Sequence, residues 1–108
     1  MRSFTWLLAG VVASLAVTAW AQTRVAPHNL YSSTRGRADL ATMQRLQSCG
    51  IPAVAEDSNF YEGLAPDFLV VIAGPLASAA AAAEQLSRAR ACGVEGQTRM
   101  VRRRIAPD

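Results

Sequence analysis

The strongest alternation-free apolar run is DFLVVIA, Asp67 to Ala73. It is hydrophobic on both faces, which predicts a central and largely buried strand. Gly74-Pro75 ends it, since proline has no amide to give a ladder and glycine permits the turn. Ser78 then stands where a helix N-cap is needed, and Ala79 to Cys92 has very high helix propensity until Gly93 stops it. Five consecutive alanines in that helix can lie close to a sheet, although they bury little area per residue. A last strand follows from Gln97 to Ile105.

The first half has the same grammar in a weaker form. A strand is expected around His28 to Ser32 and a helix from about Arg37 to Ser48, with Ala38, Met43, Leu46 and Cys49 on one stripe. Gly50 closes that helix, and Ile51 to Ala55 is a short strand that Pro52 pushes towards an edge. Glu56 to Pro66, with Asp-Ser-Asn, Gly63 and Pro66, reads as a loop or hairpin connection. The words that end the two helices recur 43 positions apart, Cys49-Gly50 and Cys92-Gly93, each followed by a β-branched residue. A duplicated strand-helix-strand unit results. Its expected architecture is α+β: a split, duplicated β-α-β chain (βαββαβ, ferredoxin-like), with a four-stranded antiparallel sheet and two helices on one face. In that sheet Leu69, Val71 and Ala73 point at the helices, and Phe68, Val70 and Ile72 lie on the open face.

Composition adds the compartment. Arg2, the apolar stretch Phe4 to Val17 and the small residues of Ala19-Trp20-Ala21 have the layout of a cleaved secretory signal, residues 1–21. That stretch is short for a membrane span, so no stable span is expected after cleavage. Residues 22–27 form a short linker and 28–108 one small domain, exported to the periplasm. Without Arg2, ten arginines face eight acidic residues, and lysine is absent. This mild surplus, without interleaved aromatics, excludes a dedicated nucleic-acid binder.

Catalytic candidates are few. His28 is the lone histidine and is expected at the surface, and Glu56-Asp57 is expected to be a solvated pair in a turn. A nucleophile with base and orienting partner is not assembled, nor is a phosphate cradle or a four-ligand metal set. The chain reads as a non-enzyme, with no cofactor, catalytic residue or metal site. Cys49 and Cys92 in an oxidising compartment suggest a disulfide on composition alone. The expected fold opposes it: two antiparallel helices of about 14 residues put their C-termini on the order of 20 Å apart, and a bridge needs α-carbons within about 7 Å. Two separate thiols are therefore expected, with pairing between chains left open.

Val70-Val71-Ile72, Gly74-Pro75, Leu86 and Gly93 together resemble the SPOR domains, small peptidoglycan-binding modules of bacterial envelope proteins. In the first half Asn29 stands where that family has a glutamine, and Ser32 matches its strand-ending serine. The resemblance spans about residues 28 to 105. It implies the duplicated fold and binding of peptidoglycan glycan strands on the open sheet face, as in a module serving cell division. Its candidate glycan-binding residues are Asn29, Tyr31, Ser32, Phe68, Arg99 and Arg103, with Phe60 and Tyr61 as further aromatic platforms. The alternative is a periplasmic protein-interaction module of the same fold, whose apolar face Phe68, Val70 and Ile72 docks an envelope protein.

Overall fold

A computed structural model of the chain describes residues 24–104, so the signal segment expected at 1–21 lies outside the described residues. Strand β1 spans Ala26–Thr34, helix α1 Leu40–Ser48, β2 Val54–Asp57, a 3-10 turn Ser58–Phe60, β3 Tyr61–Glu62, β4 Leu69–Ala73, helix α2 Ala79–Ala91 and β5 Gln97–Arg103. The strands form one antiparallel sheet in the order β2-β4-β1-β5-β3.

This corrects the expected four-stranded ferredoxin-like architecture with two helices on one face. The sheet has five strands and is curled into a half-barrel. The reason lies in Glu56 to Pro66, which is not a mere loop. A three-residue turn carries the chain from β2 at one edge to β3 at the other, where Tyr61 pairs with Arg103 and Glu62 with Arg102. Two edges joined by so short a connection can only be neighbours if the sheet bends round. The segment is pinned where it leaves and rejoins the sheet. Ser58, fully buried, donates its amide to the Phe68 carbonyl at 2.8 Å and accepts the Phe68 amide on its hydroxyl at 3.0 Å. Asn59 and Asp67 exchange two further bonds, which hold Asp67 at a positive φ of 68°.

The helices are set by their ends. Helix α1 starts at Leu40, not at about Arg37, because Asp39 caps it: its carboxylate accepts from the Thr42 amide at 3.1 Å and hydroxyl at 2.7 Å, and from the Ser32 hydroxyl at 2.8 Å. These bonds hold the Asp39 carboxyl below the usual carboxylate range. Ser78 caps α2 through the Ala81 amide at 3.1 Å, as expected from the sequence. Both helices stop in the same way, with Ile51 N–H reaching back to Leu46 O and Val94 N–H to Ala89 O, each at 3.0 Å. Gly50 and Gly93 take φ of 79° and 82° between them, the left-handed geometry this stop requires.

One core fills the space between the sheet and both helices: Leu46, Ile51, Ala53, Val71, Ala73, Ala89 and Val94 with Tyr31. The other, on the concave side, holds Tyr61, Val70, Ile72 and Val101, with Leu30, Leu64 and Phe68 packed against it. The face expected to be open is therefore roofed by the chain's own 58–68 segment, and Val70 and Ile72 are 2% and 1% exposed.

The cysteines overturn a second expectation. Cys49 and Cys92 are bridged, with α-carbons 6.6 Å apart. The register explains it. Val54 of β2 pairs with Ile72, Ile72 with Leu30, and Leu30 with Gln97 of β5. Both strands that follow a helix thus begin on one row across the sheet. The helices arrive at that row from opposite ends, and their C-termini meet instead of lying a helix length apart.

Candidate ligand groove

Beneath the 58–68 segment the concave face is left with a groove of about 230 Å³, floored by Leu30 and Val70 and walled by Leu64, Phe68 and Arg99. Ser33 and Gln97 add hydroxyl and amide groups to its rim. A bulge in β1 makes this arrangement. The register slips between Leu30 and Ser32, so Tyr31 is an extra residue that stays on the helix side while Ser33 returns to the concave side. The Arg35 guanidinium lies over the Phe68 ring, 4.7 Å from its centroid, a cation–π contact that fixes the aromatic wall. Arg99 crosses the groove mouth towards the Gly63 carbonyl at 3.4 Å.

The six expected glycan contacts divide among four places. Phe68 and Arg99 come together in the groove. Asn29 and Tyr31 are buried on the helix side instead. The Asn29 amide nitrogen donates to the Ala82 carbonyl at 2.9 Å and to Gln85 Oε1 at 3.0 Å, and its oxygen accepts from the Thr98 hydroxyl at 2.7 Å. The Tyr31 hydroxyl donates to the same Gln85 oxygen at 2.9 Å, and burial raises its pKa. A strand side chain can reach a helix carbonyl only if the helix lies close, and alanines at 81 to 83 permit that approach. Ser32 serves the α1 cap. Arg103 sits elsewhere again.

Arg103 belongs to the seam where the two sheet edges meet. It donates to Glu56 of β2 and, at 3.1 Å, to the Tyr61 hydroxyl, which itself donates to Glu56 at 2.7 Å. Its guanidinium also lies 5.5 Å from the Tyr61 ring centroid and 5.7 Å from that of Phe60. The Glu56 side chain is only 17% exposed, contrary to the solvated pair expected of Glu56-Asp57. Burial, then the bond to Glu56, push the Tyr61 hydroxyl up to about 12, so it keeps its proton into the alkaline range. His28 is likewise not at the surface. It is 2% exposed, bonds the Ala26 carbonyl through Nδ1 at 3.0 Å and meets Tyr61 edge-on at 5.6 Å. Burial lowers its pKa, and a β-carbon on Gly74 would stand 2.8 Å from its ring. This cluster joins the two sheet edges and holds the curl shut.

Sequence reasoning missed Ser33, Gln97, Arg35 and Leu64 in the groove. Ser33 and Gln97 were readable only as polar strand residues, because the bulge that turns Ser33 inward leaves no mark in the hydrophobic pattern. Among the described residues no group of three His, Cys, Asp or Glu side chains could hold a metal ion, and no helix is long and apolar enough to cross a membrane. No family model matches the chain, and neither a curated protein nor a solved structure matches it.

Proposed function

We propose that the chain is an exported, non-catalytic module of the bacterial cell envelope that holds peptidoglycan glycan strands in its concave groove, as its resemblance to the SPOR domains implies. One observation carries the reading: an aromatic wall, Phe68, and three hydrogen-bonding side chains, Ser33, Gln97 and Arg99, converge on one open groove. A sugar ring offers an apolar face for an aromatic and hydroxyls for polar groups at its edge, and such a lining meets both. The site is smaller than the whole-face platform implied by Asn29, Tyr31, Ser32, Phe68, Arg99 and Arg103, and it uses Phe68 and Arg99 of that set. The competing reading, a protein docking on Phe68, Val70 and Ile72, is weakened because Val70 and Ile72 are already covered by Tyr61 and its neighbours.

Cosedimentation of the exported protein with purified sacculi, with and without amidase treatment to strip stem peptides, tests the proposal. The protein is expected in the pellet, with more after amidase treatment. Gln97→Ala and Arg99→Ala, both at exposed positions, are expected to lower the bound fraction at least about fivefold. Absence from both pellets, or wild-type binding by the double variant, would sink it.

A further inference from the structure

The structure assigns a second recognition surface to the bare upper edge of β1. This strand has β4 on one side from Asn29, opposite Ala73, as far as Thr34, opposite Leu69. On the other side β5 starts at Gln97, opposite Leu30, and accompanies β1 only from Ala26 to Leu30. Tyr31 to Thr34 therefore have no strand beside them on that side among the described residues. The chain cannot supply one from upstream of β5, because it leaves the sheet at Gly96. There a β-carbon would lie 2.5 Å from the Tyr31 ring and 3.1 Å from the Leu30 carbonyl. Val94 has by then dived into the helix-side core.

What remains is a hollow of about 420 Å³ that continues the line of β5, bounded by Leu30 to Ser33 on one side and Glu95 to Gln97 at its end. Four residues of strand span roughly 13 Å, so the hollow takes about that length of a second extended backbone. Unpaired amides and carbonyls along such an edge select a backbone in extended form, whereas side-chain pockets would select a chemical group.

Charge decides the occupant and its direction. The edge runs from Glu95 at the β5 end to the exposed turn Arg35-Gly36-Arg37 just beyond Thr34. A peptide lying parallel to β1 has its C-terminal carboxylate at those arginines, whereas Glu95 at the other end is already paired with Arg90 at 3.7 Å. The antiparallel direction brings the peptide's free amine to the arginines instead. The partner that fits is an extended peptide with an acidic, free C-terminal end. This site is separate from the proposed glycan site in its ligand, although the two share Leu30, Ser33 and Gln97.

The test is a nitrogen-15 amide titration of the isolated protein with the hexapeptide Thr-Val-Thr-Val-Asp-Glu, free at its C-terminus. Its reversed and amidated counterpart serves as the direction control. Shifts are expected to concentrate at Tyr31 to Thr34 and Gln97, with the control binding at least about fivefold more weakly. Methylating either the threonine or the valine amides of the probe removes the donors of one strand edge without touching the fold. One of these two peptides is expected to lose about tenfold or more in affinity. Arg37→Glu, at an exposed turn position, is expected to abolish the preference for the acidic end. The proposal is overturned if both methylated peptides bind like the parent, or if the shifts fall outside Tyr31 to Thr34. It is equally overturned if the amides of this stretch that point away from β4 are already exchange-protected in the free protein, which would mean the chain's own terminal residues fill the edge. Shifts that grow with protein concentration alone would give the edge to a second copy and end the peptide reading too.

Discussion

Removing the Cys49–Cys92 bridge should cost this domain a large part of its stability, and the size of the loss can be worked out. The bridge closes a loop with a sequence separation of 43. Loop-closure entropy for that length amounts to about 4 kcal/mol at 25 °C, nearly all of it exerted on the unfolded chain. Small domains have total stabilities of about 5–15 kcal/mol. A chain with a helix built largely of alanine belongs near the lower figure, so most of the margin depends on this one bond. The native structure should change little, because each helix end is also closed by its own backbone bonds, Ile51 N–H to Leu46 O and Val94 N–H to Ala89 O.

Urea unfolding followed by far-ultraviolet circular dichroism separates the two effects. The oxidised protein, the protein reduced with a dithiol and the Cys49→Ala/Cys92→Ala variant would be compared. Both altered forms are expected to lose about 3–4 kcal/mol, with amide spectra unchanged beyond the helix C-termini. A variant within about 1 kcal/mol of the oxidised protein would refute the argument. So would free thiols in the protein as exported, because then the helix ends do not meet as described.

Three further outcomes are expected from the interior. Tyr61 is protonated in the folded state up to about 12, against an ordinary 10.0; its contribution is full below pH 10 and lost as pH rises through about 12. That difference is worth about 3 kcal/mol at most, so alkaline unfolding should coincide with the tyrosinate absorbance change and shift in Tyr61→Phe. Asn29→Asp should cost about 3 kcal/mol at neutral pH, since a buried carboxylate cannot donate to the Ala82 carbonyl, and part should return in acid as the carboxyl regains a proton; equal urea midpoints for the two proteins would contradict this. Gly96→Ala should lose about 1–3 kcal/mol by collision with the Tyr31 ring, and a double-mutant cycle with Tyr31→Ala should show the coupling.

Much of the element order was written in local chemistry. Ser78 and Gly93 bracket α2 as their side chain and backbone freedom demand, and the apolar run ending at Ala73 is the buried β4. Leu69, Val71 and Ala73 alternate against Val70 and Ile72 as a pleat requires, and Val71 and Ala73 do face the helices. Three features were not legible. β3 has two residues, too few for any periodicity, yet it turns a flat sheet into a curled one. The β1 bulge changes facing without changing composition, which moved Ser33 into the groove and kept Tyr31 out of it. Glu56 and His28 carry polar chemistry that ordinarily signals a surface, and only the meeting of two sheet edges buries them together. Of the candidate site, Phe68 and Arg99 were found through resemblance, and their neighbours came from geometry alone.

The repeat that argued against a disulfide is what creates it. The helices end at 48 and 91, their caps at 49 and 92, their left-handed glycines at 50 and 93, and the following strands begin at 54 and 97, all separated by 43. Two copies related in this way approach each other symmetrically, so equivalent residues near the axis of the relation are neighbours. Antiparallel helices keep their ends apart only when both run the full height of the sheet. Here both stop at the row of Ile72 and Leu30, so they meet there. The same early stop has a second effect. Because β5 begins on that row, it cannot cover Tyr31 to Thr34, by which β1 outruns it. The bare edge and the bridge therefore share one cause, the row on which both helices have given way to strands.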